Sequence, residues 1–158
     1  MITCGTGYDA HRLAHGRKLI LGGIEIPHER GLAGHSDADV LCHAIADALL
    51  GAIGEGDIGH HFPNTDESIR GISSLEILRK VNSLLDERKA RAINVDATLI
   101  AEAPKISPHI SAMREKIAAA LNLEPSRVSI KATTNEGLGA IGRGEGMAAM
   151  AVATVEME

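Results

Sequence analysis

Residues 36–53 read SDADVLCHAIADALLGAI. Val40, Leu41, Ala44, Ile45, Ala48 and Leu49 recur at helical spacing, with Ser36 or Asp37 available as a cap. A helix from about Ala38 to Ile53 is expected, closed by Gly54 and Gly56. Further along, AINVDATLIA (Ala92–Ala101) alternates strictly, with Ile93, Val95, Ala97, Leu99 and Ala101 on one face, as a half-buried strand does. A helix with one apolar face and a strand with one apolar face need each other, so the chain reads as α/β (α+β).

Working outward, Ile2 to Leu13 reads as a strand and its exit. Lys18–Leu21 and Ile24–Pro27 read as hairpin arms around Gly22-Gly23. Gly31–His35 reads as a loop, and so does Gly56–Asp66. Ser73 and Ser74 open a second helix, with Leu75, Leu78, Val81, Leu84 and Leu85 on one face. Pro104 and Pro108 bracket a loop before a third helix ending near Leu121. Val128–Thr133 is a strand, and glycines 137–146 lead into a final one, Met147–Val155. The expectation is one domain over residues 1–158, a mixed sheet of about four strands with helices on one face.

Composition narrows the function. The 158 residues carry a net charge of −5, and Tyr8 and Phe62 are the only aromatics. A nucleic-acid binder needs a basic footprint or stacking rings, and this chain has neither. No apolar run approaches the roughly 18 residues of a membrane span, and no signal segment is evident. Cys4 and Cys42 lie far apart without CxxC spacing, which reads as reduced thiols in a cytoplasmic protein. A core so poor in aromatics gains from burying surface between subunits, although a monomer with an aliphatic core is the other reading.

Asp9 and His11 stand two apart on a strand and leave the same face. A carboxylate beside an imidazole suits Zn²⁺, and His43 on the long helix supplies a third ligand; three protein ligands with one open position is the catalytic pattern. Asp39 and Asp47 share the face of His43, and Asp47 could orient the ring. His35-Ser36-Asp37 precedes a helix N-terminus, where anions bind. Three adjacent residues cannot form a hydrolase triad. Thr133, Thr134 and Glu136 end a strand with two hydroxyls and a carboxylate, suited to phosphate and Mg²⁺. Gly137, Gly139 and Gly142 match the dinucleotide fingerprint by letter, but a strand follows and no βαβ unit surrounds them.

Six blocks in order carry a resemblance: GTGYDAHRL (5–13), LGGIEIP (21–27), GHSDADVLCHAIADALLGA (34–52), GDIGHHFPNTD (56–66), NVDATLIAEAPKISPHI (94–110) and IKATTNEGLGAIGRGEG (130–146). The chain resembles the 2-C-methyl-D-erythritol 2,4-cyclodiphosphate synthase family of the non-mevalonate isoprenoid pathway. That resemblance implies a phosphorus–oxygen lyase that closes a cyclic diphosphate on a cytidine diphosphate substrate and expels CMP. It implies Zn²⁺ on Asp9, His11 and His43, and Mg²⁺ or Mn²⁺ on Glu136. His35 and Thr134 would stabilise the transition state. Asp57, Ile58, Gly59, Phe62, Pro63, Asn64, Thr65 and Asp66 would hold the methylerythritol unit. Ala101, Glu102, Ala103, Pro104, Lys105, Ile106 and Ser107, with Thr133, would hold the cytidine. Ser36, Asn135, Ala140 and Arg143 complete the implied substrate contacts. The family is a homotrimer with sites between subunits. Asn64 and Ala140 depart from its usual Asp and Phe. The rival readings are a zinc-dependent phosphohydrolase and a non-catalytic metal-binding trimer.

Overall fold

A computed structural model describes residues 1–158. The chain runs β1 (Ile2–His15), β2 (Leu19–Leu21), β3 (Ile24–Ile26), β4 (Arg30–Leu32), α1 (Val40–Ala52), α2 (Ile58–His61), α3 (Ser74–Glu87), β5 (Ala90–Ile100), α4 (Ile110–Ala120), β6 (Val128–Thr133), α5 (Gly139–Gly142) and β7 (Gly146–Met157). The main sheet has five strands in the order β4-β1-β7-β5-β6, and β2 and β3 form a separate hairpin. Only β5 and β6 pair in parallel.

The count of five corrects the expected four. The extra strand is β4, which overlaps the start of the segment read as a loop: Leu32 pairs with Leu13 and Arg30 with His15. Three residues are too few to show alternation, so only the pairing reveals them as a strand.

Strand alternation divides the sheet into two unlike faces. Met147, Ala149, Ala151, Ala153 and Val155 of β7 and Val95, Ala97 and Leu99 of β5 are buried towards the helices. Ile2 and Tyr8 of β1 and Met150 and Val152 of β7 fall on the opposite, helix-free face and are exposed. The cluster of 38 buried residues is almost entirely aliphatic. Ile93, expected in line with Val95, sits at a bulge between Ala92 and Asn94 and is only half-buried.

Helix α1 starts two residues later than expected, capped by Asp39 and not by Ser36 or Asp37. Asp39 is fully buried, and its carboxylate accepts from the N–H groups of Gly22 (3.0 Å), Gly23 (2.7 Å) and Cys42 (3.1 Å). It thereby ties the β2–β3 turn to the helix start. Burial pushes its carboxyl up, and the three N–H groups partly offset that. Ala38, just before the cap, takes a left-handed φ of 57°. Helix α3 starts at Ser74 as expected, and Ser73 caps it, its hydroxyl accepting from the N–H of Leu75.

Candidate metal centre and substrate cleft

On β1, glycines 5 and 7 face α1, so Asp9 and His11 project to the same side. Helix α1 brings His43 to meet them. Asp9 Oδ2 lies 2.7 Å from His11 Nε2 and 3.1 Å from His43 Nδ1, and the two imidazole nitrogens are 3.2 Å apart. Each residue offers one donor atom, and the three lie within 4.8 Å of one another.

The tautomers suit a cation. His11 Nδ1 is 2.8 Å from the carbonyl of Ala33, which can only accept. That nitrogen therefore carries the hydrogen, and the Nε2 lone pair faces Asp9 and His43. Burial would raise the Asp9 carboxyl, but in the metal-free protein, with the rings protonated, hydrogen bonds and charge from His11 and His43 outweigh it and hold the group at about 2. Burial depresses His11, yet the hydrogen bond and charge of Asp9 leave it raised. A carboxylate and two imidazole lone pairs converging on one point form a donor set that fits a divalent ion such as zinc.

The cluster lines a cleft of about 380 Å³, which His35, Ser36, Ile58, Gly59, Phe62, Pro63 and Asn64 also line. His35 Nε2 donates to the carbonyl of Asp66 at 2.7 Å, so this ring braces the 62–66 loop. Asp57 caps α2, its side chain accepting from His60 N–H. Asp47 does not hydrogen-bond His43, contrary to expectation. It accepts from the N–H of Ile58 at 2.8 Å and ties α2 to α1.

The residues expected to hold the nucleotide form a second pocket. Ala101 to Ser107, with Ala132, Thr133 and Thr134, line a cavity of about 330 Å³. Glu102 stitches its rim: its carboxylate accepts from Asn135 N–H (2.8 Å) and Gly137 N–H (3.0 Å). This holds the exposed loop carrying Glu136, which adopts a φ of 53°. Ala140 is exposed on α5, and exposed Arg143 pairs with Glu145 at 2.7 Å.

The registers align Asp9 with Ala149, Ala149 with Leu99, and Leu99 with Ala132. The two half-sites therefore share a row of the sheet, three strand steps or about 14 Å apart. Alternation from buried Ile130 turns Thr133 to the helix-free face, whereas Asp9 and His11 face the helices.

Sequence reasoning missed Ser74. It was read only as a helix start, yet its Oγ lies 2.8 Å from His43 Nε2. Nothing local marks it, since the contact joins residues 31 apart.

Comparisons with known proteins agree with this geometry. The YgbB family profile matches residues 2–156. A 2-C-methyl-D-erythritol 2,4-cyclodiphosphate synthase of Alkaliphilus metalliredigens is 60% identical over 151 residues, 96% of this chain and 95% of its own. The bifunctional IspDF of Campylobacter jejuni superposes with a TM-score of 0.95 at 40% identity, covering 100% of this chain and 43% of that one. IspF of Plasmodium falciparum, in complex with CDP, superposes with a TM-score of 0.86 at 33% identity, covering 99% and 97%. The chain belongs to the YgbB family.

Proposed function

We propose that the chain converts 4-diphosphocytidyl-2-C-methyl-D-erythritol 2-phosphate to 2-C-methyl-D-erythritol 2,4-cyclodiphosphate with release of CMP, a phosphorus–oxygen lyase step of isoprenoid biosynthesis. The observation that carries this reading is the convergence of Asp9, His11 and His43 in a cleft also lined by His35 and the Phe62–Asn64 segment. The cyclodiphosphate synthases among its relatives support the same reaction.

The substrate brings its own nucleophile, so no protein nucleophile is required. An oxygen of the 2-phosphate attacks the β-phosphorus, the β-phosphorus–oxygen bond to the α-phosphate breaks, and CMP leaves with that oxygen. The protein's task is to fold the substrate so that attacking and leaving oxygens stand in line. Positioning of this kind is worth up to about 7–11 kcal/mol. His35 and the 62–66 loop would hold the methylerythritol end. Thr133, Thr134 and the Ala101–Ser107 loop would hold the nucleotide. Asp9, His11 and His43 would bind Zn²⁺ and Glu136 would bind Mg²⁺ or Mn²⁺, and such dications neutralise phosphates that otherwise repel each other and this acidic protein.

Shared sites in a homotrimer follow from the same reading. Thr133 faces away from the side on which Asp9 and His11 stand, and the two half-sites lie about 14 Å apart along the sheet, so we infer that a second copy supplies the other half of each site. The exposed apolar side chains of Ile2, Tyr8, Met150 and Val152 offer the surface for such contact. A closed cyclic trimer of about 50 kDa is expected, three times the 16.6 kDa chain. Light scattering checks this, and an active monomer would rule out shared sites. We place the enzyme in the cytoplasm on its two free cysteines, one of them buried; no helix is long and apolar enough to cross a membrane.

Glu136→Gln keeps the size of the side chain and removes its charge. Turnover is expected to fall roughly 100-fold or more, since a bound dication supplies several kcal/mol of charge stabilisation. Raised Mg²⁺ should restore part of it. Unchanged turnover at low Mg²⁺ would remove Glu136 from the mechanism. The reaction itself is tested by ³¹P spectra after mixing protein with substrate. Cyclic diphosphate plus CMP is expected; free phosphate or an uncyclised product would favour a phosphohydrolase, and an unchanged spectrum a non-catalytic protein.

A further inference from the structure

The first residue of α3, Ser74, is fully buried. Its Oγ lies 2.8 Å from His43 Nε2 and 2.5 Å from Asp37 Oδ1. The direction of this chain follows from chemistry. A carboxylate only accepts, so the Ser74 hydroxyl donates to Asp37. Its oxygen is then free to accept from His43 Nε2–H. A neutral imidazole protonated at Nε2 has a bare Nδ1, and that atom faces Asp9 and His11.

Two further contacts fix the arrangement. Ser36 Oγ, also buried, lies 3.1 Å from the same Nε2 and accepts from Ala38 N–H at 3.0 Å. The second oxygen of Asp37 accepts from Ser74 N–H at 3.0 Å. The carboxylate thus grips both the hydroxyl and the backbone of Ser74. These partners come from two segments 37 residues apart, so the hold on the ring depends on α3 docking against the loop before α1.

We propose that Asp37 and Ser74 are positioning residues that act through His43, fixing its ring orientation and tautomer so that Nδ1 is presented as a metal donor. The inference rests on the metal reading of Asp9, His11 and His43. Outer partners of metal-bound histidines commonly set affinity through this kind of contact.

The test measures zinc affinity of the whole protein by competition with a chromophoric chelator. Ser74→Ala is expected to weaken zinc binding about 10- to 100-fold, and Asp37→Asn about tenfold. Ser74→Thr keeps the hydroxyl and should recover most of the loss. Ser73→Ala is the control, because it removes the cap of α3 without touching His43. It should lower the melting temperature and leave zinc affinity alone. In the zinc-loaded wild type, ¹⁵N-histidine spectra should show a slowly exchanging, downfield His43 Nε2–H, and Ser74→Ala should move it.

Unchanged zinc affinity in Ser74→Ala or Asp37→Asn overturns the proposal. So does a loss no larger than that of Ser73→Ala at matched destabilisation, which would make Ser74 a structural residue only. A wild-type spectrum with Nε2 unprotonated overturns it without any variant. A wild type that binds no zinc instead overturns the metal reading beneath it.

Discussion

His43→Ala is expected to abolish turnover and to weaken zinc binding by more than about 100-fold, beyond the loss typical of an outer partner. The substitution removes one of three donor atoms and leaves Asp9 and His11 as a pair, which no longer encloses an ion. The fold should survive. His43 projects from α1 towards the cleft end of the core, and the aliphatic contacts of Leu41, Ile45 and Leu49 are untouched. Stability should nevertheless fall by about 1–3 kcal/mol, since the hydroxyls of Ser36 and Ser74 lose a buried partner. Metal content, circular dichroism and ³¹P turnover on one preparation check all three points. Stoichiometric zinc with wild-type turnover would remove His43 from the centre.

Gly7→Ala should be the most destabilising single methyl added to this protein's sheet. A Cβ at position 7 would stand 1.9 Å from the carbonyl oxygen of Ala44, and at position 5 it would stand 2.0 Å from that of Ala48. Both obstacles are helix backbone, which no rotamer change can move. Strand and helix would have to separate, opening the core between them. Overpacking costs typically about 1–3 kcal/mol, and a clash with rigid backbone belongs at or above the upper end. A drop in melting temperature of roughly 6–12 °C is expected for a chain of this length. Because β1 carries Asp9 and His11 while α1 carries His43, zinc affinity should fall as well. Gly51→Ala is the contrast, since the nearest atom to its added Cβ is 3.8 Å away and it lies on an exposed turn of α1. It should be neutral or stabilising by up to about 1 kcal/mol. Melting curves at equal protein concentration decide; a Gly7→Ala protein as stable as Gly51→Ala would mean that the strand and helix are not held at this spacing.

The sequence by itself determined the parts that rest on local periodicity. The 3.6-residue repeat of α1, the alternation of β5 and the start of α3 at Ser73-Ser74 all stand in the structure, because each is set by side chains only a few positions apart. It also determined the donor set. Two-residue spacing on a strand puts Asp9 and His11 on one face whatever the fold, the long helix offered His43 as a third ligand, and the six motif blocks implied the roles of Glu136 and the substrate loops by resemblance. What the tertiary structure decided is everything carried by contacts between distant segments. The three-residue strand β4 exists only through its pairing with β1. Asp47 turned out to brace α2, Glu102 to stitch the loop of Glu136, and Asp39 to cap α1 while gripping Gly22 and Gly23. Ser74 became a partner of His43 only once α3 docked beside it. A polar side chain's role depends on which donors and acceptors folding brings within about 3 Å, and residue order states no such distances.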